Sequence, residues 1–396
     1  MLSPKITTNF RKKFGKKILI KLKISGENWS MGLNLEILLT SIIVATSCSL
    51  LGVFLVLKGM SMIVNGITHT ILLGIVIGFL ITNDLNSPLS IVGGSLVGLA
   101  TVYIINLLSV GRRLMNGDSA IGVITPFFFS VAIILISRFA DNTNLSIDSV
   151  LVGEIIFVPL NRIMFLGRSV PKNLLISSII LLINIFVIFI FYKELKISTF
   201  DKLLSFGFGF SPIILNYIFM TLVSTTIVGS FESVGAILII SFMVGPAISA
   251  YLLFDNLELM ILASIFIGGL SSILGFFISI HFDLSISGTT ATTIGGLFLL
   301  ILLFSPKKGI IQNIINEKNK KSAYLLISVL IFLYQTIKIQ GKNGINLEEI
   351  SENMDLDVKD LLKIIKKSKE KNYVMLDKDK VKITDVGMEC LQKYFS

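Results

Sequence analysis

The segment KGMSMIVNGITHTILLGIVIGF, residues 58–79, is apolar enough to lie in a bilayer, yet it carries His69, one of two histidines in the chain. On a helix, Ser61, Asn65 and His69 recur at i, i+4 and i+8 and share one face. Polar groups at membrane depth are unfavourable unless they face protein or a water-filled path. Eleven residues, about 16 Å of helix, separate His69 from Lys58 and place it near mid-membrane. A neutral imidazole there is a borderline-soft ligand suited to Zn, Mn or Fe. It is equally suited to an interhelical hydrogen bond that holds a bundle together, and spacing alone leaves both readings open.

The second histidine, His281 in ISIHFDLS, stands at the end of an apolar run beside Asp283, a pair that caps a helix more often than it binds metal. Glu232, in VGSFESVGAIL, lies between two apolar runs and either lines a substrate path or solvates a turn. Cys48 and Cys390 imply neither a disulfide framework nor a zinc cluster. The chain has no GxxxxGK[ST] phosphate loop, HExxH, CxxC or Gly-x-Ser-x-Gly elbow. An enzymatic reading has little to stand on, and a channel or transport subunit fits better.

The elements that must position these residues are set by composition. With 396 residues, 53% hydrophobic and 15% charged, and a mean hydropathy of +0.85, the chain is an integral membrane protein. A span needs roughly 20 apolar residues, and nine stretches qualify, near 35–57, 62–82, 88–110, 119–139, 172–192, 212–230, 234–254, 258–280 and 286–304. Residues 140–171 read as an irregular excursion with short helices. With nine spans, Lys58, Arg112–Arg113, Lys193, Lys196, Lys202 and Lys307–Lys308 share one face, which the positive-inside rule makes cytoplasmic. Residues 1–30 hold eight Lys/Arg and one acid. That basic tail conflicts with the outer start that nine spans require; a re-entrant first segment, a tail that crosses regardless, or a biological start at Met31 would each resolve the conflict, and the last is the expectation.

The expected domains are a basic tail over 1–32, a transmembrane domain over 33–308, a linker over 309–322 and a small cytoplasmic domain over 323–396. In the last, AYLLISVLIFLYQTI is short for a span and reads as a first helix. LEEISENM and VKDLLKIIKKSKEKN carry apolar positions at helical spacing, with Asp357 as an N-cap. YVML and VKIT read as a hairpin, and a closing helix follows capped by Thr384. This is winged-helix order. The helix over 358–372 holds six lysines, but residues 346–396 hold ten lysines and eleven acids, a poor footprint for nucleic acid. A protein-contact role is expected instead.

Several segments together resemble the membrane permease of the ATP-binding cassette importers for manganese, zinc and iron. The resemblance covers about residues 33–308. KGMSMIVNGITHTILLG resembles the family segment RGMSLMGDAISHAVLPG, NGDSAIGVITPFFFSVAIIL its DTAIG segment, and SVLVGEI its LFG segment. FDKLLSFGFGFSP resembles the cytoplasmic loop FDxxxAxxxGxP, SVGAILIISFMVGPAISAYLL the SVGxILxxxxLxxPAATAYLL stretch, and GTTATTIGGLFLLILLFSPKKG the closing span.

The resemblance implies an all-α polytopic fold of the type II importer kind, with the winged-helix-like α+β domain appended. It also implies a homo- or heterodimer of permeases in the bacterial cell membrane, an extracytoplasmic metal-binding protein outside and cytosolic ATPases inside. No cofactor is held permanently: the divalent metal is cargo, and ATP is used by the partner. Thr199–Pro212 would form the coupling helix, with Phe200, Asp201, Leu204, Gly209 and Pro212 matching the family loop. The family's Asp-x-x-x-His pair maps to Asn65 and His69, so the histidine matches while the carboxylate is replaced by an amide; the family's following proline is Leu73. Ser61 and Glu232 are possible path-lining residues. The alternatives are a membrane-anchored, metal-responsive regulator acting through the winged helix, or a siderophore- or vitamin-type importer permease.

Overall fold

The computed structural model describes residues 27–82, 87–111, 116–139, 155–165, 168–306, 308–340, 344–354, 358–377 and 380–395. The basic tail before Glu27, Arg112–Arg113, residues 140–154 of the excursion, Lys307 and the expected cap Asp357 lie outside the described residues. The chain divides into two compact units, Met1–Leu302 and Leu303–Ser396.

The first unit consists of helices α1 (Glu27–Leu57), α2 (Ser61–Thr82), α3 (Pro88–Asn106, extended by a π turn over Leu107–Gly111), α4 (Gly117–Phe139), α5 (Lys172–Ile190), α6 (Tyr192–Phe200), α7 (Lys202–Gly207), α8 (Pro212–Leu253), α9 (Leu257–Phe282) and α10 (Ile286–Phe304). Eight of the described helices are long and apolar enough to cross a membrane. Their starts follow from local chemistry. Ser87 accepts a hydrogen bond from the Leu89 amide at 3.2 Å with Pro88 in the first turn, and Asn256 accepts from Glu258 N at 3.1 Å, each satisfying an amide that the helix leaves free.

Eight helices replace nine expected spans because 212–230 and 234–254 fall in one 42-residue element, α8, broken at Gly235 (φ 77°, ψ 169°). Only glycine adopts that conformation without strain. The break turns the chain back. Phe54 of α1 meets Phe219 edge-on at 5.9 Å between centroids, while Gly52, two residues away, abuts the Met243 carbonyl and Ala247. On a continuous helix Phe219 and Met243 would be about 36 Å apart. The two expected spans are therefore the two arms of one hairpin, with Glu232 beside its tip. Counted as two arms, α8 returns to the face of Lys58, as do α9 and α10 together.

Small and hydroxyl side chains bring the helices together, as expected where lipid gives no hydrophobic drive for helix association. Gly74 of α2 and Gly93 of α3 back onto each other so closely that a Cβ at either would strike the other's backbone. Asn184 of α5 donates to Ser47 Oγ of α1 and Thr226 Oγ1 of α8, both at 2.8 Å. Ser272 of α9 donates to Ser41 of α1 at 2.6 Å. The core of this unit is the contact of α1, α2 and α8, with Phe54, Ile67, Ile71, Phe219 and Phe242 almost wholly buried.

The described part of the excursion holds one short helix, as expected, and a hairpin that was not expected. A 3₁₀ turn over Ile155–Leu160 is followed by an antiparallel hairpin, β1 (Arg162–Phe165) and β2 (Arg168–Pro171), with Phe165 opposite Arg168. Arg162 pairs with Glu36 of α1 at 2.7 Å and tethers the hairpin there.

The second unit holds α11 (Ile310–Gln340), β3 (Ile345–Asn346), α12 (Leu347–Met354), α13 (Val358–Glu370), β4 (Val374–Asp377), β5 (Lys380–Ile383) and α14 (Asp385–Phe395), with sheet order β3-β5-β4. Helix α11 runs through residues 310–322, where a linker was expected, and on through the apolar stretch that follows. Leu326, Val329, Leu330 and Leu333 bury one stripe of α11 against Ile350, Leu361, Ile365, Val374 and Val381. Thr384 Oγ1 accepts from Gly387 N at 3.2 Å and starts α14, while strand β3 was not anticipated.

Candidate functional site

Helix α2 buries most of its surface, including Ile63, Val64, Gly66, Ile67 and Thr68. Packing against α3, α4 and α8 leaves one stripe uncovered: Met62 and Asn65 are exposed, and Ser61 and His69 half-buried. The structure thus places the three expected polar residues on one open face. The His69 ring stands edge-on to Phe129 of α4, centroids 5.6 Å apart and planes at 74°. This contact fixes the imidazole against α4.

A further oxygen flanks this stripe. Thr125 of α4, one turn before Phe129, lies against Gly66, where a Cβ would meet its Oγ1 at 3.2 Å. The hydroxyl is buried without a hydrogen-bond partner among the described residues, and an unmade buried hydrogen bond is costly. Sequence reading passed over Thr125, because a missing partner is a property of packing; a hydroxyl directly before Pro126 was the available signal.

Asn65 and His69, one turn apart, offer an amide oxygen and an imidazole, both neutral; Ser61, about 12 Å from His69 along the axis, can line a path but not share an ion with it. Among the described residues no group of three or more His, Cys, Asp or Glu is gathered as a metal cluster. Such a donor set can hold a first-row cation weakly and suits transit better than storage.

Glu232 is exposed but stands apart from these residues. Ile67 and Ser224 both meet Gly98, and Ile71 and Val228 both meet Gly94, so α2 and the first arm of α8 run parallel in register. Glu232 consequently lies about 9 Å farther along the helix axis than His69. His281 is exposed and packs edge-on to Phe282 at 4.9 Å. Asp283 ends α9 in the left-handed conformation (φ 54°), its backbone N–H bonded to Ser279 O. These are the features of a helix end.

The expected coupling residues lie in α6, α7 and the start of α8. Asp201 accepts from Leu203 N at 2.9 Å and Leu204 N at 3.0 Å and so caps α7. Gly209 takes a positive φ of 81°, and Pro212 is buried as the first residue of α8. Phe200, Leu203, Leu204, Phe206 and Phe208 are 50–82% exposed, an apolar patch beyond the ends of the spans.

The chain matches the family model for the ABC 3 transport family over residues 32–305. It is 37% identical over 284 residues to the manganese transport system membrane protein MntD of Bacillus subtilis, covering 72% of this chain and 96% of the relative. It is 37% identical over 280 residues to the zinc transport system membrane protein TroD of Treponema pallidum, covering 71% and 76%. Among solved structures it resembles PsaBC from Streptococcus pneumoniae in complex with Fab, with a TM-score of 0.60, 27% identity and coverage of 73% of this chain and 96% of that one. With its fold, its apolar helices and these matches, the chain belongs to the ABC 3 transport family, as a multi-pass permease of the bacterial cell membrane.

Proposed function

We propose that this permease conducts a divalent first-row metal ion, manganese, zinc or iron, into the cytoplasm, with a second permease completing the path. One observation carries the reading: Asn65 and His69 lie together on the uncovered stripe of α2 in a chain whose relatives are named for manganese and zinc transport. Asn65 supplies a carbonyl oxygen where the family has a carboxylate, so the missing charge must come from the partner permease or be done without.

Hydrolysis of ATP takes place on a separate cytosolic ATPase. The exposed apolar patch of α6 and α7 rests in a cleft of that ATPase and transmits its motion. An extracytoplasmic metal-binding protein delivers the ion. The unit from Leu303 onward, read as winged-helix-like, makes protein contacts; nucleic acid is not its partner. The test is ATP-dependent uptake of manganese, zinc and iron by the reconstituted complex when Leu203 and Phe206 are replaced by Ser. Uptake of the cognate ion should be lost while the permease still inserts; normal uptake contradicts the reading.

A further inference from the structure

After Phe304, the last residue of α10, the chain folds over at once. The Gly309 N–H bonds to Ser305 O at 3.1 Å and the Asn313 N–H to Gly309 O at 2.9 Å. A Cβ at Gly309 would strike the Ser305 carbonyl and meet Leu303 O at 3.1 Å. Helix α11 therefore begins beside the end of the last span, at the level where a span leaves the hydrocarbon.

The first turns of α11 are amphipathic. Ile310, Ile311 and Ile314 are 42–49% exposed and enter no buried cluster among the described residues, whereas from Leu326 onward the same helix buries a stripe in the second unit. By helical period the three isoleucines share one side. Gln312 and Asn316, hydrogen-bonded to each other at 3.4 Å, mark the opposite side. Positions 318 and 321 follow Ile311 and Ile314 at i+7 and continue the isoleucine side, and both are lysines. Residues 310–322 hold three lysines against one acid.

Two observations decide what covers the isoleucines. Leu303 and Phe304, at the end of the span, are themselves exposed apolar side chains, so the surface that lipid covers on α10 runs on into the isoleucine side of α11. The charge that follows is positive, the complement of anionic headgroups. We propose that the first third of α11, residues 310–321, is an interfacial anchor in the leaflet read as cytoplasmic, with Ile310, Ile311 and Ile314 among the upper acyl chains and the lysine-rich turn after them drawn to anionic headgroups. This holds whichever ion the permease conducts. Because α11 runs unbroken to Gln340, the anchor would also fix to the membrane surface the helix on which the second unit is built.

The test uses the full-length permease with Cys390→Ser, which leaves only the buried Cys48, in nanodiscs containing one third phosphatidylglycerol. A nitroxide is attached in turn through Ile310→Cys, Ile311→Cys, Gln312→Cys, Ile314→Cys and Asn316→Cys. Its collisions with oxygen, which partitions into acyl chains, are compared with those of a water-soluble nickel chelate. Oxygen should be favoured at 310, 311 and 314 and nickel at 312 and 316, the ratio differing about fivefold or more between the two sides. Exchange of phosphatidylglycerol for phosphatidylcholine should cut that contrast about threefold, as should Lys318→Gln, Lys320→Gln and Lys321→Gln together. Labels at 312 and 316 report the other side of the same folded helix and separate docking from misfolding.

Nickel favoured at every position would mean that the helix stands in water. Few collisions with either reagent at 310, 311 and 314 would mean that a protein surface, such as a second copy of the chain, covers them. Either result overturns the anchor. A contrast unchanged in phosphatidylcholine and in the triple lysine variant overturns the assignment to anionic headgroups.

Discussion

The imidazole of His69 on α2 meets the ring of Phe129 on α4 edge to face at 5.6 Å, so two helices jointly orient the histidine that lies in the middle of a membrane span. Edge-to-face pairs contribute about 0.5–1.5 kcal/mol beyond burial. Phe129→Ala should free the ring and raise the KM for metal uptake about fivefold, with little change in expression, whereas Phe129→Tyr should behave like the parent. Uptake kinetics at graded metal concentration check this.

Asn65→Asp should convert a neutral amide into a charged ligand one helical turn from His69. Charge raises affinity for a divalent cation in a low-dielectric path, but a site must also release its ion. Metal titration of the purified permease should show at least tenfold tighter binding, and the turnover rate of uptake should fall.

Gly235 turns the two arms of α8 with φ 77° and ψ 169°. Gly235→Ala and Gly235→Asn should both lower stability, by about 1–3 kcal/mol, since that region of backbone space is closed to any residue with a Cβ. Asn gains nothing over Ala here, unlike at an ordinary left-handed position. Thermal unfolding in detergent reads the difference.

Asp201→Ala removes the acceptor of two amides at the start of α7 and should cost about 1 kcal/mol locally. Metal-stimulated ATP hydrolysis by the complex should weaken while the permease fold persists, and Asp201→Asn should recover most of the loss.

Lys58 gives a pH dependence of stability with a definite sign. Its folded-state value is lowered from 10.5 to about 8, so between those values the unfolded chain binds more protons than the folded one, and stability rises with pH. The penalty is present in full below pH 8 and relieved by pH 10.5. The permease should gain melting temperature relative to Lys58→Met across that window.

Much of this was legible in the residues. The apolar runs marked the spans, and the spacing of Ser61, Asn65 and His69 placed them on one face of α2, because helical period alone determines it. The hairpin of α8 was half legible: two apolar runs met at a glycine, but that Gly235 turns one helix back on itself depends on where Phe219 and Met243 pack on α1. The strands β1 and β2 escaped because each is four residues long, too short for alternation to register. Thr125 escaped because its one local mark, a hydroxyl directly before Pro126, says nothing of whether packing leaves it a partner. Its distinction is that Gly66 opposite offers its hydroxyl no partner.

The most direct test of the central claim is ATP-driven uptake of radiolabelled manganese, zinc and iron by the reconstituted importer carrying His69→Ala, beside His69→Gln and the unsubstituted chain. If His69 lies on the ion path, His69→Ala should reduce uptake of the cognate metal tenfold or more with assembly intact, and His69→Gln should retain part of it. Uptake by His69→Ala equal to that of the unsubstituted chain would contradict the account.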